Sequence, residues 1–240
     1  MATKPPISSA NIGRVTPQQI RRFVVAALAT TLTAGALLVG PTLAPHAVPS
    51  ASAAACPDVE VIFARGRMEP AGAGAIGNPF VSALRQKTKR NVNLYAVRYP
   101  ADNQIDVGAN DMSQRIQSTA ASCPNTRIVL GGYSLGAAVT DVALALPFAF
   151  FGFDQPLPPG ADQHIAAVAL FGNGSAWIGP ITNFNPLYRE RTIELCHGAD
   201  PVCNPADPNT WENNWPDHLA PAYIEAGMVN QAVDFAAGRV

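Results

Sequence analysis

Apolar positions along the chain fall into two patterns. The first is the short continuous run bounded by turn residues. Val59, Val61, Ile62 and Phe63 lie within 58–64, which stops at Arg65-Gly66. Residues 165–171 are strongly apolar and stop at Gly172-Asn173-Gly174, and Arg127-Ile128-Val129-Leu130 stops at a glycine pair. Runs of this length flanked by glycine read as strands buried on both faces. Residues 92–99 alternate and are closed by Pro100, and 192–196 form a last short run, so five strands are expected. The second pattern has helical spacing. Phe80, Val81 and Leu84 place a helix over 78–89, with its basic residues late, as the helix dipole favours. Met112, Ile116 and Thr119 place another over 111–122, stopped by Pro124. A third runs over 135–146 to Pro147, and 222–237 closes the chain, while glycine-rich 72–77 reads as loop.

Strands alternating with helices imply an α/β fold: a three-layer sandwich around a five-stranded, mainly parallel sheet. In such sheets the ligand site lies beyond the carboxyl ends of the strands. Arg65-Gly66, Ser134, Gly172 and Asp200 all follow strand ends, so one rim should gather them.

Residues 1–55 stand outside this pattern. Arg21-Arg22 precede an uncharged run from Phe23 to Gly40, and the stretch beyond ends Ala51-Ser52-Ala53-Ala54-Ala55-Cys56. A basic region, an apolar region and a small-residue site make a secretory signal peptide, with cleavage expected near Ala53 or Ala55. A retained membrane anchor competes for the same apolar run. Acylation of Cys56 competes for the site itself, although Ala53-Ala54-Ala55 lacks a large apolar residue. Either way, 56–240 is one domain, long enough for a real core.

Charge and cysteine usage narrow the class. Sixteen basic and 17 acidic residues nearly cancel, and no basic block lies beyond the leader, which argues against nucleic acid. All four cysteines lie after the expected cleavage site. An even number in an exported chain points to two disulfides. Three pairings exist. Cys196 with Cys203, bracketing one loop, is the simplest and leaves Cys56 with Cys123. Cys196, His197 and Cys203 superficially suggest zinc, but a disulfide explains the cysteines better and no metal-ligand spacing is present.

The candidate chemistry sits where the third strand ends. Gly132-Tyr133-Ser134-Leu135-Gly136 follows an apolar run and precedes helix-compatible residues, the context that a nucleophile elbow requires. A serine on a strained turn needs neighbours without Cβ atoms, and the N–H after it, at a helix N-terminus, is aimed at a developing oxyanion. Serine also needs an imidazole to take its proton and a carboxylate to orient that imidazole. In this fold class the chain order is Ser, acid, His. Of His164, His197 and His218, the last is the best base: His197 is cramped beside Cys196, and His164 precedes a buried strand. Eleven acids follow Ser134, and spacing alone does not choose among them.

A resemblance does choose. Cys196-His197-Gly198-Ala199-Asp200-Pro201-Val202-Cys203, followed by His218-Leu219-Ala220, resembles the cutinase family, as do Gly132-Tyr133-Ser134-Leu135-Gly136, Phe63-Ala64-Arg65-Gly66 and the placements of Cys56 and Cys123. The likeness covers essentially the whole mature chain. It implies a small α/β-hydrolase that hydrolyses carboxylic esters without a metal or organic cofactor. Ser134 is the implied nucleophile, His218 the base and Asp200 its orienter, with backbone N–H groups of Arg67 and Leu135 as the oxyanion hole. Three departures stand out. Leu135 replaces a frequent Gln, which a backbone role tolerates. Arg67 replaces a frequent Ser or Thr and so loses a supporting hydroxyl. The connection from Asp200 to His218 is long, and it should reshape the mouth of the site. Expected partners are acyl esters of short or medium chain, lipids or polyesters, with transient contact to a lipid surface. Aromatic-rich 147–153, with Leu157, Trp211 and Trp215, reads equally as a lipid-facing rim or as packing under a loop. A different class of reading, a weakly active cell-surface or lipid-binding protein on a hydrolase scaffold, rests on Arg67.

Overall fold

All five strands are parallel and lie in the order β2-β1-β3-β4-β5, where β1 is Val59–Ala64, β2 Val92–Ala96, β3 Arg127–Tyr133, β4 Ile165–Phe171 and β5 Thr192–Leu195. The sheet is therefore wholly rather than mainly parallel. Parallel neighbours need long crossovers, and here helices supply them. The computed structural model describes residues 55–204 and 208–240, apart from the side chain of Thr182. The expected leader falls almost wholly outside the described residues.

Both faces of the sheet are covered. On one, Val59, Val61, Phe63, Val129 and Phe171 pack against α1 (Gly74–Thr88) and later helices. On the other, Ile62, Ile128, Leu130, Val168 and Leu170 pack against α2 (Ile105–Ser122) and α3 (Leu135–Ala145). Four helices follow: α4 (Ile181–Phe184), α5 (Trp211–His218), α6 (Ala220–Glu225) and α7 (Met228–Ala237). Tyr223 of α6 and Val229, Ala232, Val233 and Ala236 of α7 complete the first core. Every residue of β1, β4 and all but the first of β3 is buried, which is why those strands read as continuous apolar runs.

One position breaks that rule. Glu60, fully buried in β1, accepts Asn93 Nδ2 at 3.0 Å and Arg115 Nε at 3.1 Å, and also binds Thr119 and the second Arg115 nitrogen. It fastens β1 to both β2 and α2.

Several boundaries differ from the pattern reading. Helix α1 starts at Gly74 and α2 at Ile105, each earlier than expected. The expected loop at 72–77 supplies the first turn of α1, because Gly77 is a buried contact point against Phe63, and Gly108 of α2 lies likewise against Val139. The expected closing helix is two, α6 and α7, broken at Gly227, whose φ of 73° no helix accommodates. Aromatic-rich 147–153 divides: Phe153 is core, while Phe148, Phe150 and Phe151 stand exposed.

Among the described residues no helix is long and apolar enough to cross a membrane. The two disulfides are Cys56–Cys123 and Cys196–Cys203. With its sulfur bonded to Cys123, Cys56 is not free to carry an acyl chain.

Candidate active site

Ser134 joins β3 to α3 with φ 56° and ψ −118°, a conformation that costs a non-glycine residue of order 1–3 kcal/mol and persists only where the surroundings over-determine it. They do so here. Its N–H donates to Phe171 O at 2.8 Å, across to β4. Its carbonyl accepts N–H groups from Ala137 at 3.0 Å, Ala138 at 3.3 Å and Gly174 at 3.2 Å. A side chain at Gly136 would put its Cβ 2.0 Å from Ala64 O, so only glycine lets α3 start this close to β1.

Asp200 and His218 reach Ser134 from far along the chain. Asp200 follows β5 inside the Cys196–Cys203 loop, and His218 is the last residue of α5. Ser134 Oγ lies 2.9 Å from His218 Nε2, and His218 Nδ1 lies 2.7 Å from Asp200 Oδ2. Asp200 is fully buried and His218 nearly so. Burial alone would raise the Asp200 carboxyl; the hydrogen bond from His218, that from Tyr223, the imidazole charge and the Val202 N–H at 2.7 Å outweigh it and hold the group below its usual range. The carboxylate therefore stays ionised, as an orienter of imidazole requires.

Three aromatic residues that sequence reasoning did not assign hold this pair. Tyr223 donates its hydroxyl to Asp200 Oδ2 and accepts the His197 N–H at 3.2 Å. Burial first, then the hydrogen bond to Asp200, raises the Tyr223 hydroxyl, so it remains a donor. Tyr133, inside the elbow motif, stacks on the His218 ring at 5.5 Å and donates to the His218 carbonyl. Trp215 lies against the same ring, tilted, with centroids 5.0 Å apart. Nothing in one sequence marks Tyr223 beyond its nearness to His218. Tyr133 could have been found, because it occupies the variable position of the motif. Gly172, with φ 52°, is also part of the site: a Cβ there would meet Tyr223, Asp200 and His218 at 2.9–3.2 Å.

The loop after β1 is clamped from several directions. Buried Arg65 donates to Glu69 O at 2.8 Å and Tyr99 O at 2.7 Å. Glu69 accepts the N–H of Gly66 and, at 2.8 Å, that of Ala75. Arg67 and Leu135 both line a cleft of about 600 Å³ over Ser134, and the Arg67 guanidinium turns aside to Asn103 Oδ1 at 2.6 Å. Met68, Trp211, Trp215 and Leu219 supply the apolar rim. The lining does not include 147–153. Half of the long Asp200-to-His218 connection is helix α5, which carries His218 and both tryptophans.

His197 and His164 are not brought to Ser134. The ring of His197 lies 3.5 Å from Asp217, and His164 sits at the entry to β4. No cluster of three or more metal-ligating side chains occurs among the described residues.

A strained serine on a strand-to-helix turn, facing a linked His–Asp pair at the carboxyl rim of a parallel sheet, is the architecture of the α/β-hydrolases. The family model described as Cutinase matches residues 55–240, and the chain belongs to that family. It is 67% identical over 223 residues to the probable carboxylesterase Culp2 of Mycobacterium tuberculosis, covering 92% of this chain and 97% of that one. It is 46% identical to the phospholipase Culp4 of Mycobacterium tuberculosis, covering 91% and 92%. Among solved structures it is similar to the Trichoderma reesei cutinase bound to a phosphonate inhibitor, with TM-score 0.58, 29% identity and coverage of 75% and 77%. The acetyl xylan esterase core domain from Trichoderma reesei shares the fold, with TM-score 0.61 at 23% identity, over 78% of this chain and 100% of that chain.

Proposed function

We propose that this cutinase-family serine ester hydrolase works through an acyl-enzyme on Ser134. The observation that carries the reading is the unbroken contact from Ser134 Oγ through the His218 ring to Asp200. As Oγ attacks the ester carbonyl, His218 Nε2 takes the hydroxyl proton, and Asp200 stabilises the imidazolium that results. The carbonyl oxygen gains the electron pair, and the N–H groups of Leu135 and Arg67 receive it. Collapse of the tetrahedral intermediate expels the alcohol, which takes the proton from His218. Water then repeats the sequence on the acyl-enzyme, releasing the acid and restoring Ser134. The apolar rim of Met68, Trp211, Trp215 and Leu219 supports an acyl ester with an extended hydrocarbon portion, as in lipids. Being exposed, the same rim supports transient contact with a lipid surface.

Arg67 does not favour the weakly active reading. Its side chain is held outside the hole by Asn103, and the proposed donor is its backbone. Export is supported by the composition of the leader and by two disulfides, which persist in oxidising compartments.

The test is covalent labelling with an alkyl phosphonate together with turnover of a chromogenic butyrate ester. Ser134→Ala should abolish labelling and cut kcat by about 10⁴-fold or more. Labelling that persists in the variant refutes the assignment.

A further inference from the structure

A buried polar cluster behind the nucleophile takes no part in the chemistry above. Asp141, two turns along α3 from Ser134, is 6% exposed. Its Oδ2 accepts Asn173 Nδ2 at 2.7 Å and Ser175 Oγ at 2.6 Å. Asn173 Oδ1 in turn accepts the Ser175 N–H at 3.0 Å. One carboxylate oxygen thus gathers the residues on both sides of Gly174. Glu194, on the neighbouring strand β5, is the other ionisable group facing the cluster and also takes a hydrogen bond from Asn173. Burial first, offset by the Ser175 and Asn173 hydrogen bonds and added to by the Glu194 charge, pushes the Asp141 carboxyl up to about 6.

Gly174 is what this cluster holds in place. Its N–H is the one donor to Ser134 O among three that comes from outside α3. That carbonyl and the Leu135 N–H belong to the same planar peptide unit, so whatever fixes one fixes the direction of the other. The Ala137 and Ala138 bonds come from the helix side, and Gly174 closes against the unit from the β4 loop, where an added Cβ would lie 3.2 Å from Ser134 O and 3.7 Å from the Leu135 nitrogen.

We propose that Asp141 is a positioning residue for the oxyanion hole: by tethering Asn173 and Ser175 it presses Gly174 onto the Ser134–Leu135 peptide and sets the aim of the Leu135 N–H. The inference rests on the proposed role of Leu135. A donor of this kind matters to the tetrahedral oxyanion more than to the bound ester, so its misalignment appears in kcat and not in KM. An amide at 141 still offers an oxygen to Asn173 and Ser175, and a methyl offers none.

The experiment compares wild type, Asp141→Ala, Asp141→Asn and Ser175→Ala on a chromogenic butyrate ester, with melting temperature measured in parallel and Ser134→Ala as the blank. Asp141→Ala should lose about ten-fold or more in kcat, with KM within two-fold of wild type. Asp141→Asn should recover kcat to within about three-fold, since the acceptor is restored. If Asp141→Ala does not fold, Ser175→Ala decides, with kcat expected to fall several-fold at constant KM. Wild-type kcat in a folded Asp141→Ala, or in Ser175→Ala, overturns the inference. So does an Asp141→Asn as impaired as Asp141→Ala. A wild type no better than the Ser134→Ala blank would instead defeat the ester-hydrolase mechanism itself.

Discussion

The two sides of the catalytic cleft are built by opposite means. Ser134 and Gly172 sit directly at the ends of β3 and β4, two of the three well-buried strands of the sheet, and the serine backbone is held by hydrogen bonds to the sheet, its own helix and the next loop. Asp200 and His218 arrive on a loop after the short edge strand β5 and on the last residue of α5. From the sheet, Tyr133 at the end of β3 reaches His218, but neither Asp200 nor His218 grows from a strand. They are held instead by a covalent link and aromatic contacts: the Cys196–Cys203 bridge, Tyr223 on Asp200, and Tyr133 and Trp215 against His218. A group that grows from a central strand inherits rigidity from the fold, whereas one carried on a loop needs fasteners of its own.

Removing one fastener should produce the largest test of that contrast. The two disulfides make a matched pair. Cys56–Cys123 spans 67 residues and lies far from the cleft; Cys196–Cys203 spans 7 and frames Asp200. The chain-entropy model assigns about 4 kcal/mol to the long loop and about 2.5 kcal/mol to the short one. Replacing Cys196 and Cys203 by alanine should lower kcat about ten-fold or more in a protein that is still folded at room temperature. Replacing Cys56 and Cys123 should cost more in melting temperature and leave kcat near wild type. Thermal unfolding and kcat, measured well below both midpoints, read the crossing directly. If both pairs lower stability and neither touches kcat, the loop-held side needs no covalent fastener and the contrast is broken.

A smaller effect is expected at Tyr223. Tyr223→Phe keeps the ring in the core and deletes one donor to Asp200. The hydrogen bonds from His218 and Val202 remain, so kcat should fall by several-fold only. The Asp200 carboxyl, relieved of one interaction that lowers it, should titrate higher, and a chemical-shift titration of the His218 ring protons would follow the coupled change. An unchanged titration would assign Tyr223 to packing alone.

The last expected effect concerns the serine side and appears in stability, not rate. Asp141 carries an ordinary value of 3.8 when unfolded and about 6 when folded. Between those values the folded protein holds a proton that the unfolded chain has released, so the native state loses ground as pH rises and the loss is complete above about 6. The difference in pKa corresponds to ~3 kcal/mol. Asp141→Asn cannot titrate. Its stability relative to wild type should therefore improve by up to ~3 kcal/mol from about pH 4 to about pH 7, whatever constant offset the amide introduces. Urea unfolding of both proteins at the two pH values measures it, and a gap independent of pH would show that Asp141 is ionised alike in both states.

The same division decides what could be read from sequence. Strand-borne features were legible. Continuous apolar runs marked β1, β3 and β4, because parallel strands covered on both faces have no polar face to show. The elbow glycines were legible because close approach of α3 to β1 permits nothing else. Loop-borne features were not. The order and spacing of acids after Ser134 left many partners for His218, and only the likeness of the Cys196–Cys203 segment to a family singled out Asp200. Tyr223 and Asp141 act through hydrogen bonds to residues far away in the chain, and Glu69 through the backbone of its own loop, and no periodicity encodes either. The start of α1 was misplaced for a related reason: Gly77 looks like a loop signal until Phe63 occupies the space that a side chain would need.

Glu60 gives β1 something its apolar residues cannot. With all six positions of the strand buried, oil faces it on either side, and hydrophobicity alone would accept a strand shifted by one residue. The carboxylate would not. Shifted by one, it would leave Arg115 and Thr119 and face Phe80 and Leu84, an unpaired charge in an apolar layer. The charge thus acts as a key that admits one alignment of β1 between β2 and β3. That alignment decides which residue leaves the sheet beside Gly132, and so whether the loop at Arg67 opens toward Ser134 or away from it.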